Sequence, residues 1–73
     1  MSESAGASEV YYFLALVDRV AGDDASIRRR VEALSPEERA AVARQVVEYA
    51  NGMDNDERGR YLVKEALRRA LPR

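Results

Sequence analysis

The chain has no histidine and no cysteine. The commonest general base and the best nucleophile are therefore both missing, and neither a Ser-His-Asp nor a Cys-His site can be built. The serines have simpler explanations. Ser2 and Ser4 lie in a polar leading segment, Ser8 and Ser35 stand where helices should start, and Ser26 comes early in the second helix. All are positions where a hydroxyl serves the backbone. The carboxylate pairs Asp23/Asp24 and Glu37/Glu38 also fall at expected helix N-termini, where the helix dipole favours negative charge. A bundle this small has little room for a substrate pocket of roughly 300 Å³ or more. No enzyme is expected.

Metal chemistry is equally thin. Zinc wants thiolate or imidazole. Asp54-Asn55-Asp56-Glu57 looks like the start of a calcium loop, with Gly59 and Glu65 at the sixth and twelfth positions. Arg58 would then put a cation among the ligands, and Tyr61-Leu62-Val63 would have to leave an apolar helix stripe. No glycine-rich phosphate loop is present either, so no metal and no cofactor are expected.

Two stretches could instead meet a partner. Arg60, Lys64 and Arg68 recur at i, i+4, i+8, with Arg58 and Tyr61 beside them. On a helix they make a basic strip suited to an acidic partner or a nucleic-acid backbone. A helix-turn-helix reading would place Arg58 and Arg60 at the start of a recognition helix. Asp54, Asp56 and Glu57 would then face the phosphates. A membrane-surface role is disfavoured, because the apolar face of this helix is Ala- and Val-rich and lacks Trp and Phe.

The second stretch is Val10-Tyr11-Tyr12-Phe13-Leu14-Ala15-Leu16-Val17, eight uncharged residues in a chain that is 34% charged. At about 100° per residue, Val10, Phe13, Leu14, Leu16, Val17 and Val20 form a core face. Tyr11, Tyr12, Ala15, Asp18 and Arg19 fall on the other half. Buried central helices are often apolar all round, so cover by other helices of the same chain is the simpler expectation. The alternative is a surface for a second molecule, since Tyr and Arg are enriched in binding hot spots. The candidate partner-binding residues are Tyr11, Tyr12, Ala15 and Arg19 here, and Arg58, Arg60, Tyr61, Lys64 and Arg68 on the last helix.

The elements that hold these residues are all helical, because no segment alternates with period two. Residues 1–7 are small and polar and predict a disordered tail; residues 8–73 form one domain. The first helix spans about 9–21, with Ser8 as cap and Gly22 as a left-handed stop. The second spans about 24–34, with a narrow stripe of Ile27, Val31 and Leu34. Ser35-Pro36-Glu37-Glu38 is a capping box with proline at the first helical position. It opens a third helix over about 36–50, whose buried half includes Val42, Val46, Val47 and Tyr49. Met53 plugs the corner, and Asp54 with Glu57 predicts a second capping box. The fourth helix spans about 55–71, with Asp56–Arg60 and Glu65–Arg69 as i, i+4 pairs. The expected fold class is all-α, a small four-helix domain with short connections.

Seventy-three residues give one small core. Scaffolds of this size usually need a staple, and without cysteine or a zinc site self-association is the remaining one. Net charge is −1, which argues against bulk attraction to nucleic acid or membrane. The charge is nevertheless uneven. Residues 1–26 carry five acids and one base, residues 58–73 six bases and one acid. Eleven of twelve bases are Arg, a codon bias that suggests a high-GC bacterium or phage. The acidic start Met1-Ser2-Glu3-Ser4 lacks the basic region of a signal peptide, so a cytoplasmic location is expected. The function expected is a non-enzymatic small protein-binding module, a regulator, adaptor, inhibitor or small assembly subunit, and a candidate homodimer. The alternative is a nucleic-acid-binding accessory protein using the basic face of the last helix.

Overall fold

The computed structural model describes residues 2–72, with side chains from Glu9 onward. These residues form four helices, α1 (Ser2–Ala21), α2 (Ala25–Glu32), α3 (Pro36–Asn51) and α4 (Glu57–Ala70), and no strand. The domain is all-α, as the helical periodicity requires.

One side chain sets the start of each of the last three helices. Asp24 Oδ1 accepts from the Ile27 amide at 3.1 Å and opens α2. At α3 the capping box is complete. Ser35 Oγ accepts from the Glu38 amide at 3.1 Å, and Glu38 Oε1 accepts from the Ser35 amide at 2.9 Å. Pro36 follows at the first helical position, where no amide proton is needed. At α4 the cap is Asp56, not Asp54; its Oδ1 accepts from the Gly59 amide at 2.7 Å. The chain turns back at the end of α3 through the Met53 amide, which donates to the Ala50 carbonyl at 3.0 Å. Asp54 and Asn55 are thereby spent on the corner.

Gly59 lets the preceding loop lie close against the first turn of α4. A Cβ there would stand 1.8 Å from the Asp54 carbonyl oxygen. The first turn of α4 is laid directly on the preceding loop, and only a residue without a side chain fits. Gly22 behaves differently from the left-handed stop expected of it, because no described residue has a positive φ. The Asp24 amide donates to the Ala21 carbonyl at 3.0 Å, so an ordinary turn leads straight into the α2 cap. α2 ends at Glu32, two residues before the expected limit, and Leu34 is reached by a tighter bond from its amide to the Val31 carbonyl.

α1 extends back to Ser2, seven residues beyond the expected start at 9. Ser8 therefore lies inside the helix instead of capping it. No proline interrupts residues 2–8, and Ala and Glu are good helix formers. The expectation of a tail at residues 1–7 falls on side chains outside the described set, and on Met1, which lies outside it altogether.

α1 packs most extensively on α3, α3 packs on α4, and α1 also meets α4. These three form the bundle. The short α2 touches α1 along one edge. It is tied to the end of α4 by Arg30, whose guanidinium donates to the Leu71 carbonyl at 3.1 Å. The largest fully buried side chains are Phe13, Ile27, Val46 and Leu67, one from each helix. All four belong to one core, which also takes in Leu16, Val17, Val31, Leu34, Val42, Val63 and Leu71. Met53 packs against it at the corner, as its position implied. The radius of gyration is 11.5 Å, close to the roughly 11 Å expected of a well-packed chain this long.

Candidate functional site

Phe13, Leu16, Val17 and Ala21 point α1 into the core and so turn its opposite side outward. The simpler expectation for that side, cover by other helices of the same chain, is not met. Tyr11 is 74% exposed and Tyr12 67%, so no other helix of the chain covers them. Ala15, Asp18 and Arg19 are exposed with them. Leu14, placed in the core by its projection, is 43% exposed. It sits beyond the edge of the buried arc, past Val17 and Ala21, where the short α2 does not reach over it.

The outer face of α1 is thus an apolar ridge with charge at one end. Tyr11, Leu14 and Asp18 run down one edge, and Tyr12, Ala15 and Arg19 down the other. The two tyrosine rings meet edge to face, centroids 6.4 Å apart at 72°. A shallow groove flanks each edge. One, between α1 and α3, is lined by Tyr12, Ala15, Arg19, Val47 and Ala50. The other, between α1 and α2, is lined by Leu14, Asp18, Arg28, Val31 and Glu32. Among the described residues, neither Asp18 nor Arg19 takes part in a salt bridge.

The basic strip on α4 is less free than its spacing suggested. Lys64 Nζ lies 3.5 Å from Asp24 Oδ2 and Arg68 lies 3.8 Å from the same oxygen. Arg68 also bonds Glu65, one turn back on its own helix. Glu65 therefore partners Arg68 at i, i+3 where the sequence suggested Arg69, and Asp56 is occupied in capping. Asp24 does double duty. It caps α2 and bridges to α4, and the Ile27 amide, then Lys64, hold its carboxyl below the usual carboxylate range. Arg58, Arg60 and Tyr61 remain exposed, Tyr61 at 62%.

A feature that sequence reasoning missed lies on the other flank of α4. Tyr49, assigned to the buried half of α3, is 41% exposed. With Gln45, Tyr61, Leu62, Ala66 and Arg69 it lines an open groove between α3 and α4. Tyr49 stands at the margin of the buried arc of α3, three residues after Val46. A residue at such a margin is only partly covered, as its exposure shows. Its position at the arc's edge was the available signal. All four tyrosines are therefore on the surface, while the single Phe is fully buried.

No group of three or more Asp and Glu side chains among the described residues converges as a metal site would require. Among the same residues, no helix is long and apolar enough to cross a membrane. The chain matches no protein-family model, no curated protein and no solved structure.

Proposed function

We propose that the chain is a non-enzymatic protein-docking module, of the regulator, adaptor, inhibitor or small-subunit kind, and that the outer face of α1 is its working surface. One observation carries this reading: Tyr11, Tyr12 and Leu14 stand exposed together on one helix face, although the bundle beneath them is complete. Clustered exposed aromatic and aliphatic side chains, edged by a few charges, are the usual composition of a docking patch. Rigid placement on a helix lowers the ordering cost of binding.

The alternative is a nucleic-acid accessory role through Arg58, Arg60 and Tyr61 at the start of α4. It has less support, because Asp24 and Glu65 already engage two of the strip's three cations. One comparison separates the two. Tagged wild-type chain, Tyr11→Glu/Tyr12→Glu and Arg60→Glu/Arg68→Glu are used to capture partners from the native host. Loss of a specific protein with the tyrosine variant alone supports docking through α1. Loss with the arginine variant alone, together with DNA or RNA binding that falls steeply with salt, replaces it with the alternative.

A further inference from the structure

The ends of the α1 face differ in chemistry. Tyr11 and Tyr12 occupy one end, Asp18 and Arg19 the other, and the small Ala15 lies midway. We infer that the occupant of this face is a second copy of the chain, with two α1 helices crossing antiparallel over Ala15. This rests on the reading of α1 as the docking surface and names its partner.

The geometry follows from the two edges. A two-fold axis lying between the two copies at the level of Ala15, perpendicular to the helix and running across its outer face, reverses the chain direction but keeps each edge on its own side. Residues whose numbers sum to about thirty then face each other. On one edge Tyr12 meets Arg19 of the other copy, so the guanidinium lies against a ring face. On the opposite edge Tyr11 meets Asp18, and the phenol hydroxyl donates to the carboxylate. Symmetry repeats both contacts, so all four polar and aromatic side chains of the face gain a partner.

Ala15 at the crossing lets the backbones approach closely, and opposed helix dipoles favour the antiparallel sense. The two charges brought in have no salt-bridge partner among the described residues of their own chain. Three helical turns bearing two tyrosines offer on the order of 500 Å² per copy, below the usual 800 Å² of a tight complex. The dimer is accordingly a reversible one.

Sedimentation equilibrium of the full chain up to roughly millimolar concentration tests the inference. The expected mass climbs from 8.2 kDa towards twice that value. Tyr12→Glu and Arg19→Glu each return it to 8.2 kDa with unchanged far-UV circular dichroism. The absence of cysteine allows a clean check of orientation. Mixed under mild oxidation, Tyr12→Cys and Arg19→Cys chains form the mixed disulfide in excess of random pairing. A wild-type monomer at the highest concentration overturns the inference, as does a dimer indifferent to both charge variants. Preferential linking of each cysteine variant to itself overturns the antiparallel arrangement. If the chain stays monomeric while Tyr11→Glu/Tyr12→Glu still abolishes capture of another protein, the second-copy assignment falls and the docking reading stands.

Discussion

Gly59→Ala is the substitution on which general helix propensity and this structure disagree in sign. Gly59 lies inside α4, where replacing Gly by Ala ordinarily stabilises a helix by about 1 kcal/mol. Here the added Cβ would sit 1.8 Å from the Asp54 carbonyl oxygen, 3.0 Å from its carbon and 3.1 Å from Asp56 Oδ1. Ordinary contact demands that the loop and helix separate by roughly 1.5 Å. Two of the three atoms are backbone, so no side-chain rotation relieves the clash. Forced separation of this kind costs about 1–3 kcal/mol. Disturbing the Asp56 cap, which bonds the amide of the substituted residue itself, adds about 1 kcal/mol. The net expectation is a loss of about 2 kcal/mol, or a fall in Tm of about 10 °C for a domain of this size. Thermal unfolding followed at 222 nm measures it. Gly52→Ala is the control, because its Cβ would meet the nearest atom, the Tyr49 carbonyl oxygen, at an ordinary 3.6 Å. A Gly59→Ala protein as stable as wild type, or more stable, refutes the packing of α4 on its loop.

Two further predictions test the helix starts. Ser35→Ala removes one arm of the capping box and should cost about 1 kcal/mol, read as a Tm lowered by about 5 °C; an unchanged Tm would contradict the α3 start. Asp24→Asn keeps a capping oxygen but removes the charge that faces Lys64 and Arg68. Because the Asp24 carboxyl titrates below its ordinary value in the folded chain, its charge contributes stability above the unfolded-state value. That contribution disappears as pH falls through the folded-state value. The gap in Tm between wild type and Asp24→Asn should therefore be present at neutral pH and close in strong acid, and a gap of constant size would refute the bridge.

The helices were legible in the sequence because their signals are local. Ser35-Pro36-Glu37-Glu38 makes the bonds its spacing implies, and Ile27, Val31 and Leu34 are all buried. Misplacements came where tertiary contacts choose among local options. Asp54 and Asp56 are both competent caps by local pattern, and the second is the one used, with the Asp54 carbonyl packed closely against Gly59. Leu14 and Tyr49 lie at the margins of their buried arcs, so exposure depended on how far α2 and α4 reach across them. The basic strip was visible as spacing, but Asp24 is forty residues from Lys64. Periodicity within one helix carries no information about such a partner. Tyr11 and Tyr12 were recognisable as a face, whereas their exposure required knowing where the other three helices go.

The placement of the aromatic residues has a spectroscopic consequence. The chain has no Trp, its one Phe is fully buried, and all four Tyr are at the surface. Tyr11, Tyr12 and Tyr61 leave one largely aqueous setting for another when the domain unfolds, so the unfolding change in tyrosine emission and absorbance should be small and come mainly from the partly covered Tyr49. Cover of the α1 face by a partner moves Tyr11 and Tyr12 from water into contact with protein. The intrinsic ultraviolet signal of this molecule thus reports folding mainly through Tyr49 and association through Tyr11 and Tyr12, while backbone dichroism follows folding and is insensitive to association.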